Sequence, residues 1–126
     1  MVQTKLIQLT PADIYGLYDT PKLVLPAPPI GYVNNILGIS HDMVFNSVAY
    51  TGATNMRYGV YIGDAVFIEF NILSATSNYS SPISKNDGAQ TVFSTTKDLF
   101  LTTDAVAADG DSNINAYIIY EQIQLT

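Results

Sequence analysis

Turn-forming residues interrupt this chain at intervals of about ten positions, and this spacing limits every regular element to a short segment. Between the turns, Val, Ile, Tyr, Phe and Thr predominate, and these residues favour strands. We therefore predict strands over 2–9, 23–25, 32–45, 56–63 and 115–125, with two more within 91–106. This pattern predicts a mainly β fold: a single β-sandwich or jelly-roll-like domain over residues 1–126, with one short N-terminal helix.

Other segments predict loops, bends or undecided structure. Residues 46–55 predict a loop, and Gly38 predicts a bulge or bend inside the third strand. The apolar segment 65–73 is compatible with a short strand and with a short helix. Residues 74–90 are polar and predict a loop with a turn at 86–88, where Asn, Asp and Gly follow one another.

The stretch TPADIYGLYDTP carries the start signals of a short helix. Thr10 is a favoured N-cap, Pro11 suits the first helical position, and Asp13 stands where a capping box has its acid. Pro21 prevents the helix from continuing. A helix this short must pack on the sheet through its apolar face, which we expect to consist of Ile14, Leu17 and Tyr18.

Composition excludes several classes of partner and site. The chain has no Cys, so disulfides and thiolate metal sites are excluded. Charged residues make up 13% of the chain, and the net charge is −6 with the few Lys and Arg scattered. We therefore expect no nucleic-acid partner and no membrane partner. Neither a signal peptide nor an apolar run near the ~20 residues of a membrane helix is predicted.

The closing stretch AVAADGDSNINAYIIYEQIQLT opens with polar side chains at alternate positions: Asp109, Asp111 and Asn113. An EF-hand calcium loop begins in the same way, but it needs Gly at its sixth position and Glu at its twelfth. Those positions hold Ile114 and Tyr120. We therefore interpret the Asp-Gly-Asp-Ser run as a hairpin-type turn into the last strand and expect no metal site. A weak cation site on this loop stays an open alternative.

The sequence contains no residue pattern typical of catalysis. His41 is the only histidine, and in a strand its neighbours Ser40 and Asp42 point to the opposite face, so the three cannot form a triad. Glu69 and Glu121 are the only glutamates, and nothing in the sequence places them across a cleft as a glycosidase requires. We expect a structural histidine, no cofactor and no enzymatic activity.

Tyrosine is the main aromatic residue of this chain, with nine copies and no Trp. Tyr50 and Tyr79 fall in predicted loops, where an exposed ring would serve a protein interface or stack on a sugar. Most of the others lie within predicted elements and are candidates for the core: Tyr15, Tyr18, Tyr58, Tyr61, Tyr117 and Tyr120.

Several stretches, taken in order, resemble a group of small virion proteins encoded by tailed bacteriophages. The stretches are LTPADIYGLYDTPKLVLPAP at 9–28, AYTG at 49–52, ILSATS at 72–77, LFLTT at 99–103 and DGDSNINAYIIY at 109–120. In that group a Leu-Thr short helix runs into a Thr-Pro-led strand, and an Asp/Gly turn precedes a final Tyr-containing strand. The resemblance covers most of the chain and brings no catalytic residues with it.

The resemblance implies a structural part of the virion, made in the host cytoplasm, and we expect a capsid decoration (cement) protein. Such a protein binds across subunits of the major capsid protein and is expected to be a homotrimer, since decoration proteins often occupy three-fold positions. The alternative is a tail- or fibre-associated carbohydrate-binding or receptor-binding module with Tyr50 and Tyr79 as its platform. A small hydrolase is the least favoured reading. The candidate interface residues are Leu6, Pro26, Pro28, Pro29, Tyr50 and Tyr79.

Overall fold

The computed structural model describes residues 1–60, 68–84 and 93–125, which contain one short helix and nine strands. In chain order the elements are β1 Val2–Leu9, α1 Pro11–Gly16, β2 Lys22–Leu25, β3 Tyr32–Met43, β4 Asn55–Gly59, β5 Ile68–Asn71, β6 Tyr79–Ser84, β7 Phe93–Thr95, β8 Leu99–Thr103 and β9 Ile114–Gln124. The fold is mainly β, as the alternation of short β-prone segments and turns predicts.

Two antiparallel sheets pack together as a β-sandwich. The larger sheet has the order β1-β9-β3, with β6 and β7 both pairing with the far edge of β3. The smaller sheet has the order β2-β8-β4-β5. Consecutive strands therefore often lie in different sheets, so the connections cross between the layers.

The pairing of β3 with β9 is the longest among the described strands and runs from Tyr32 opposite Gln124 to Met43 opposite Ile114. Its register shifts between Ile36 and Gly38, so the predicted irregularity at Gly38 is confirmed. The inner face of β9 is apolar and fully buried at Ile114, Ala116 and Ile118. These side chains meet the buried inner residues of the smaller sheet: Val24, Met56, Tyr58, Phe70, Leu99 and Leu101.

One buried polar contact joins the two sheets through the core. His41 of β3 is 1% exposed, and its Nε2 shares a hydrogen bond of 2.6 Å with the hydroxyl of Tyr58 in β4. The imidazole also meets the ring of Phe70 edge-on, with centroids 4.5 Å apart. Burial lowers the pKa of His41 to about 4, despite the opposing influence of Asp42. His41 is thus a neutral core side chain at neutral pH.

The N-terminal helix follows its start signals and ends as predicted. Thr10 and Asp13 form a capping box, in which each side chain accepts from the backbone N–H of the other. Ile14 and Leu17 are buried, as expected. The prediction for Tyr18 is wrong, because the last helical residue is Gly16 and the helical periodicity no longer applies at Tyr18, which is 49% exposed.

Strand bounds differ from the predictions mainly in the polar second half of the chain. The undecided segment 65–73 contains a strand, β5, and residues 91–106 contain two, β7 and β8. Residues 79–84 form β6, although the polar segment 74–90 predicted a loop. Pro82 is tolerated there because, among the described strands, β6 pairs with β3 alone and so forms an edge of the sheet. The predicted turn at 86–88 lies outside the described residues.

Replacing Leu17 with Ala should lower the free energy of unfolding by about 2–5 kcal/mol, because it opens a cavity beneath the helix. Tyr18→Ala is the matched control, since the neighbouring ring is half exposed and its loss should cost much less. Urea unfolding of the two variants measures both values. Equal losses would show that the short helix does not dock through Leu17.

The free energy of unfolding should fall on acidification between pH 6.5 and about 4, because the unfolded chain protonates His41 and the folded protein does not. Above pH 6.5 both states hold a neutral imidazole, so this contribution is flat. His41 alone can change the free energy of unfolding by at most about 1.4 kcal/mol per pH unit. Denaturant titrations at several pH values should show a shallower slope in His41→Gln than in the wild type. An unchanged slope in the variant would contradict the prediction.

Candidate functional site

The connection from β8 to β9, residues 104–113, packs along the segment 44–54, and we name these the acidic crossover and the facing loop. Thr51 and Ala108 join them as an isolated bridge with two backbone hydrogen bonds of 2.9 Å. A tight turn is present at Asp109, which has φ +66° and is spanned by a 2.8 Å bond from Gly110 N to Ala108 O. The predicted hairpin is wrong, however, because β8 and β9 belong to different sheets.

Two carboxylates of the acidic crossover accept hydrogen bonds from the far end of the facing loop and the start of β4. Asp104 accepts from the backbone N–H groups of Thr54 at 2.9 Å and Asn55 at 3.1 Å. Asp109 accepts from the hydroxyl of Thr51 at 2.6 Å. Asp104 therefore supplies acceptors for two backbone N–H groups where the chain enters β4, whereas Asp109 binds a side-chain hydroxyl.

Asp111 accepts hydrogen bonds from the beginning of the facing loop. Its Oδ1 accepts from the backbone N–H groups of Ser47 at 3.0 Å and Val48 at 2.9 Å. Its Oδ2 accepts from Asn46 Nδ2 at 2.9 Å and from the Ser47 hydroxyl. These hydrogen bonds lower the pKa of Asp111 to about 2. The Ser47 hydroxyl has the largest effect, and the backbone N–H groups of Val48 and Ser47 have the next largest. All four acceptor positions of this carboxylate are thus used within the protein.

These contacts assign the alternating acids of the closing stretch to the fold. Each carboxylate faces donors of the loop, and within the described residues no group of three or more His, Cys, Asp or Glu is arranged to hold a metal ion. The alternation of Asp109 and Asp111 reflects two anchor points along an extended segment that runs beside the facing loop.

Tyr50 is buried between the acidic crossover and the helix, so the expectation of an exposed ring is wrong. It is 3% exposed, and its hydroxyl donates to the carbonyl of Ser112 at 2.5 Å. Tyr15 meets the ring edge-on, with centroids 6.1 Å apart, and donates its own hydroxyl to the carbonyl of Gly110. A Cβ on Gly110 would lie 2.2 Å from the Tyr50 ring, so this position needs glycine.

A polar groove of about 440 Å³ opens where β3 and β9 reach the facing loop and the acidic crossover. Asp42 and Asn115, which are opposed in the β3–β9 register, share its floor. The remaining lining comes from the two loops: Val44, Phe45, Asn46, Asp111 and Asn113. No lining residue carries a positive charge, and amides and carboxylates predominate.

The Asp42 carboxylate is held in place by its neighbours. Asn115 Nδ2 donates to Oδ1 at 3.2 Å, and the Tyr117 hydroxyl donates to Oδ2 at 2.9 Å. The bond to Asp42 raises the pKa of Tyr117, so the phenol stays protonated as a donor. Sequence reasoning missed this cluster, because only the strand register brings Asp42 beside Asn115 and Tyr117.

The outer face of the larger sheet is not covered by the smaller sheet and carries exposed apolar side chains. Directly opposed residues of antiparallel strands share a face, so the register places Leu6 with Tyr117 and Val2 with Glu121 on the side away from the buried Ile118. Val2, Leu6 and Ile123 are 53%, 46% and 39% exposed. We name the apolar members of this face the outer apolar patch: Val2, Leu6, Val33, Tyr117, Ile119 and Ile123.

The other predicted interface residues are distributed over the surface. Pro26 and Pro29 are exposed and Pro28 is half-buried, on a segment anchored by a 2.7 Å bond from Ala27 N to Asp98. Tyr79 opens β6 and packs half-buried against the core. The structure therefore leaves Leu6 and the prolines accessible but does not gather all the candidates into one surface.

The two glutamates of the chain lie in different sheets. Glu69 of β5 accepts from Arg57 at 2.7 Å and from Asn55 at 3.0 Å, and these bonds lower its pKa. Glu121 belongs to β9, with its Oε2 4.0 Å from the N-terminal ammonium of Met1. The two carboxylates thus lie on separate layers of the sandwich.

Comparison with family models, with curated proteins and with solved structures gave no match for this chain. None of its described helices is long and apolar enough to span a membrane.

Removing the Asp111 carboxylate should loosen the facing loop, because four donors lose their acceptor at once. Asp111→Ala should lower the melting temperature by several degrees. Asn113→Ala should not, since that exposed amide makes no side-chain hydrogen bond to another described residue. A calcium chelator should leave the wild-type melting curve unchanged, because the donors are the protein's own. A clear drop with chelator would show that the loop holds an ion.

Proposed function

We propose that this protein is a non-enzymatic structural component of a tailed-phage virion and that it decorates the capsid. The ordered sequence stretches that resemble small phage virion proteins motivate the proposal. The outer apolar patch is the observation that carries it, because it supplies a surface of the kind that binds other proteins.

The outer apolar patch has the chemistry of a protein interface. Its members come from three adjacent strands and share one face of the sheet, with Thr4, Asn35 and Glu121 among them. Contiguous exposed apolar surface on a folded domain marks a docking site more often than isolated apolar residues do. Glu121, the one charged side chain that the β1–β9 register places among them, lies beside the Met1 ammonium.

A neutral, apolar contact suits a protein that binds many equivalent positions on a shell. Each contact is weak, and binding across neighbouring subunits adds their contributions. The proposed partner is the major capsid protein, and the proposed assembly is a homotrimer at three-fold positions. The exposed prolines Pro26 and Pro29 offer a second, stiff contact segment.

Purified protein added to undecorated mature capsids should occupy saturable, symmetric sites and raise the temperature at which the shell ruptures. A ligand that binds only the intact lattice stabilises it by mass action. Occupancy should depend little on salt, since few charges are present to be screened. Cryo-electron microscopy measures the occupancy, and calorimetry at low and high salt measures rupture.

A pair of variants tests the surface itself. Leu6→Glu places a charge in the outer apolar patch and should weaken capsid binding by at least about tenfold, because an unpaired buried carboxylate costs more than ~1.4 kcal/mol. Leu23→Glu is the matched control, since Leu23 is also 46% exposed but lies in β2 of the smaller sheet. Random or absent occupancy by the wild type would overturn the capsid assignment, and equal effects of the two variants would overturn the assignment of the patch.

The second candidate function is a tail- or fibre-associated carbohydrate-binding or receptor-binding module. Burial of Tyr50 removes half of the tyrosine platform on which that alternative was based. The polar groove now favours it, because the groove presents fixed carboxylate and amide groups beside an apolar wall.

A further inference from the structure

We propose that the polar groove binds a neutral saccharide and that Asp42, Asn113 and Asn115 are the residues that hold it. This inference rests on the second candidate function and does not depend on the capsid proposal, because no residue that lines the groove belongs to the outer apolar patch. Tyr117 of the patch meets the groove only through its hydrogen bond to Asp42. Some polar groups of the groove are already hydrogen-bonded within the protein, and others retain donors or acceptors for a ligand.

The two carboxylates of the groove differ in how many of their hydrogen-bond acceptor positions remain unoccupied. An ionised carboxylate accepts about four hydrogen bonds. Asp111 accepts four from the facing loop and is therefore a structural group. Asp42 accepts two, from Asn115 and Tyr117, and retains acceptor capacity on both oxygens. A ligand hydroxyl entering the groove thus finds its acceptor in Asp42.

The amides around Asp42 supply donors and further acceptors. Asn115 uses one of its two N–H groups on Asp42, so its second N–H and its carbonyl oxygen are available. Asn46 likewise uses one N–H, on Asp111. Asn113 is exposed and makes no side-chain hydrogen bond to another described residue. The groove therefore offers both hydrogen-bond donors and acceptors.

The groups that the groove offers are held rigidly. Asp42 and Asn115 lie on neighbouring strands of the longest pairing among the described strands, and Asp111 fixes the loop that carries Asn46. Binding to a site held in this way loses little side-chain entropy. The open volume of about 440 Å³ falls in the range of small-molecule sites.

These features select a class of ligand. A sugar hydroxyl both donates and accepts, so neighbouring hydroxyls match a carboxylate flanked by amides. The exposed Val44 and the ring of Phe45 give an apolar wall for the C–H surface of a sugar ring. The lining holds two carboxylates and no positive charge, so it repels an anionic sugar, and the hydroxyl contacts of the proposed site need no charge on the ligand.

Nuclear magnetic resonance titration of the ¹⁵N-labelled protein tests the proposal. The probes are glucose, galactose, mannose and N-acetylglucosamine, with sialic acid as the anionic probe and a blocked lysine as the cationic probe. At least one neutral sugar should shift the side-chain amide signals of Asn113 and Asn115, with a dissociation constant on the order of 1 mM for a few hydrogen bonds in an open groove. Sialic acid and the lysine probe should leave these signals in place.

Variants locate the site. Asn113→Ala and Asp42→Asn should each weaken binding by about tenfold, the effect of losing one hydrogen bond of ~1.4 kcal/mol. Gln122→Ala is the control, because Gln122 carries an exposed amide at the opposite end of β9. Asn113→Ala should leave the fold intact, because the exposed Asn113 amide makes no side-chain hydrogen bond to another described residue.

Each outcome decides the question. Shifts with a neutral sugar that both groove variants weaken and Gln122→Ala leaves unchanged would establish the site. No shift with any neutral sugar would overturn the proposal, as would binding that neither groove variant affects. Stronger binding of sialic acid, or binding of the lysine probe alone, would show that the groove takes a charged ligand instead. Capsid binding by Asn113→Ala should equal that of the wild type, so this test and that of Leu6→Glu fail separately.

Discussion

The antiparallel pairing of β3 with β9 is the contact on which the rest of the structure depends. β1 can pair only because β9 offers its other edge, and β6 and β7 both use the far edge of β3. The inner sides of the two strands bury Ile36, Ile39 and Ile118 against the smaller sheet. Where the pair reaches the facing loop, the same register sets Asp42 beside Asn115 and makes the floor of the groove. Fold and candidate site thus share one structural origin.

Carboxylates serve this chain as substitutes for missing backbone partners. Asp13 caps the helix, Asp104 accepts from the start of β4, and Asp111 accepts from the facing loop. Each accepts at least one backbone N–H that would otherwise need water or a neighbouring strand. The chain has no disulfide to fix its loops, and these charge-assisted hydrogen bonds perform that role. Part of the acidic charge is therefore committed to local structure, and among the described residues no group of three or more His, Cys, Asp or Glu is arranged to hold a metal ion.

Local patterns predicted the sandwich class, most strands and the capped helix, because alternation and capping are properties of neighbouring residues. The predictions that were wrong failed because of contacts between residues that lie far apart in the sequence. Tyr50 was expected in solvent because it lies in a loop, yet Gly110, sixty residues later, leaves room for its ring. The polar segment around Pro82 has no residue pattern typical of a strand, and it forms the strand β6 because it pairs with β3. The groove could not be predicted either, since Asp42 and Asn115 are separated by 73 residues and only the register brings them together.

The central position of β9 also governs the order in which a nascent chain can acquire this structure. On the ribosome, β1 and β3 leave the exit tunnel long before residues 114–124, which form β9, are translated. Neither β1 nor β3 can form its pairing with β9 until then. The N-terminal half of the chain must wait with unpaired strand edges, which are open to association with other chains. Folding of the larger sheet is therefore completed only once β9 has emerged, and a topology with such distant partners is expected to fold slowly. Any cell that synthesises this chain depends on those unpaired strands not associating with other chains before β9 emerges.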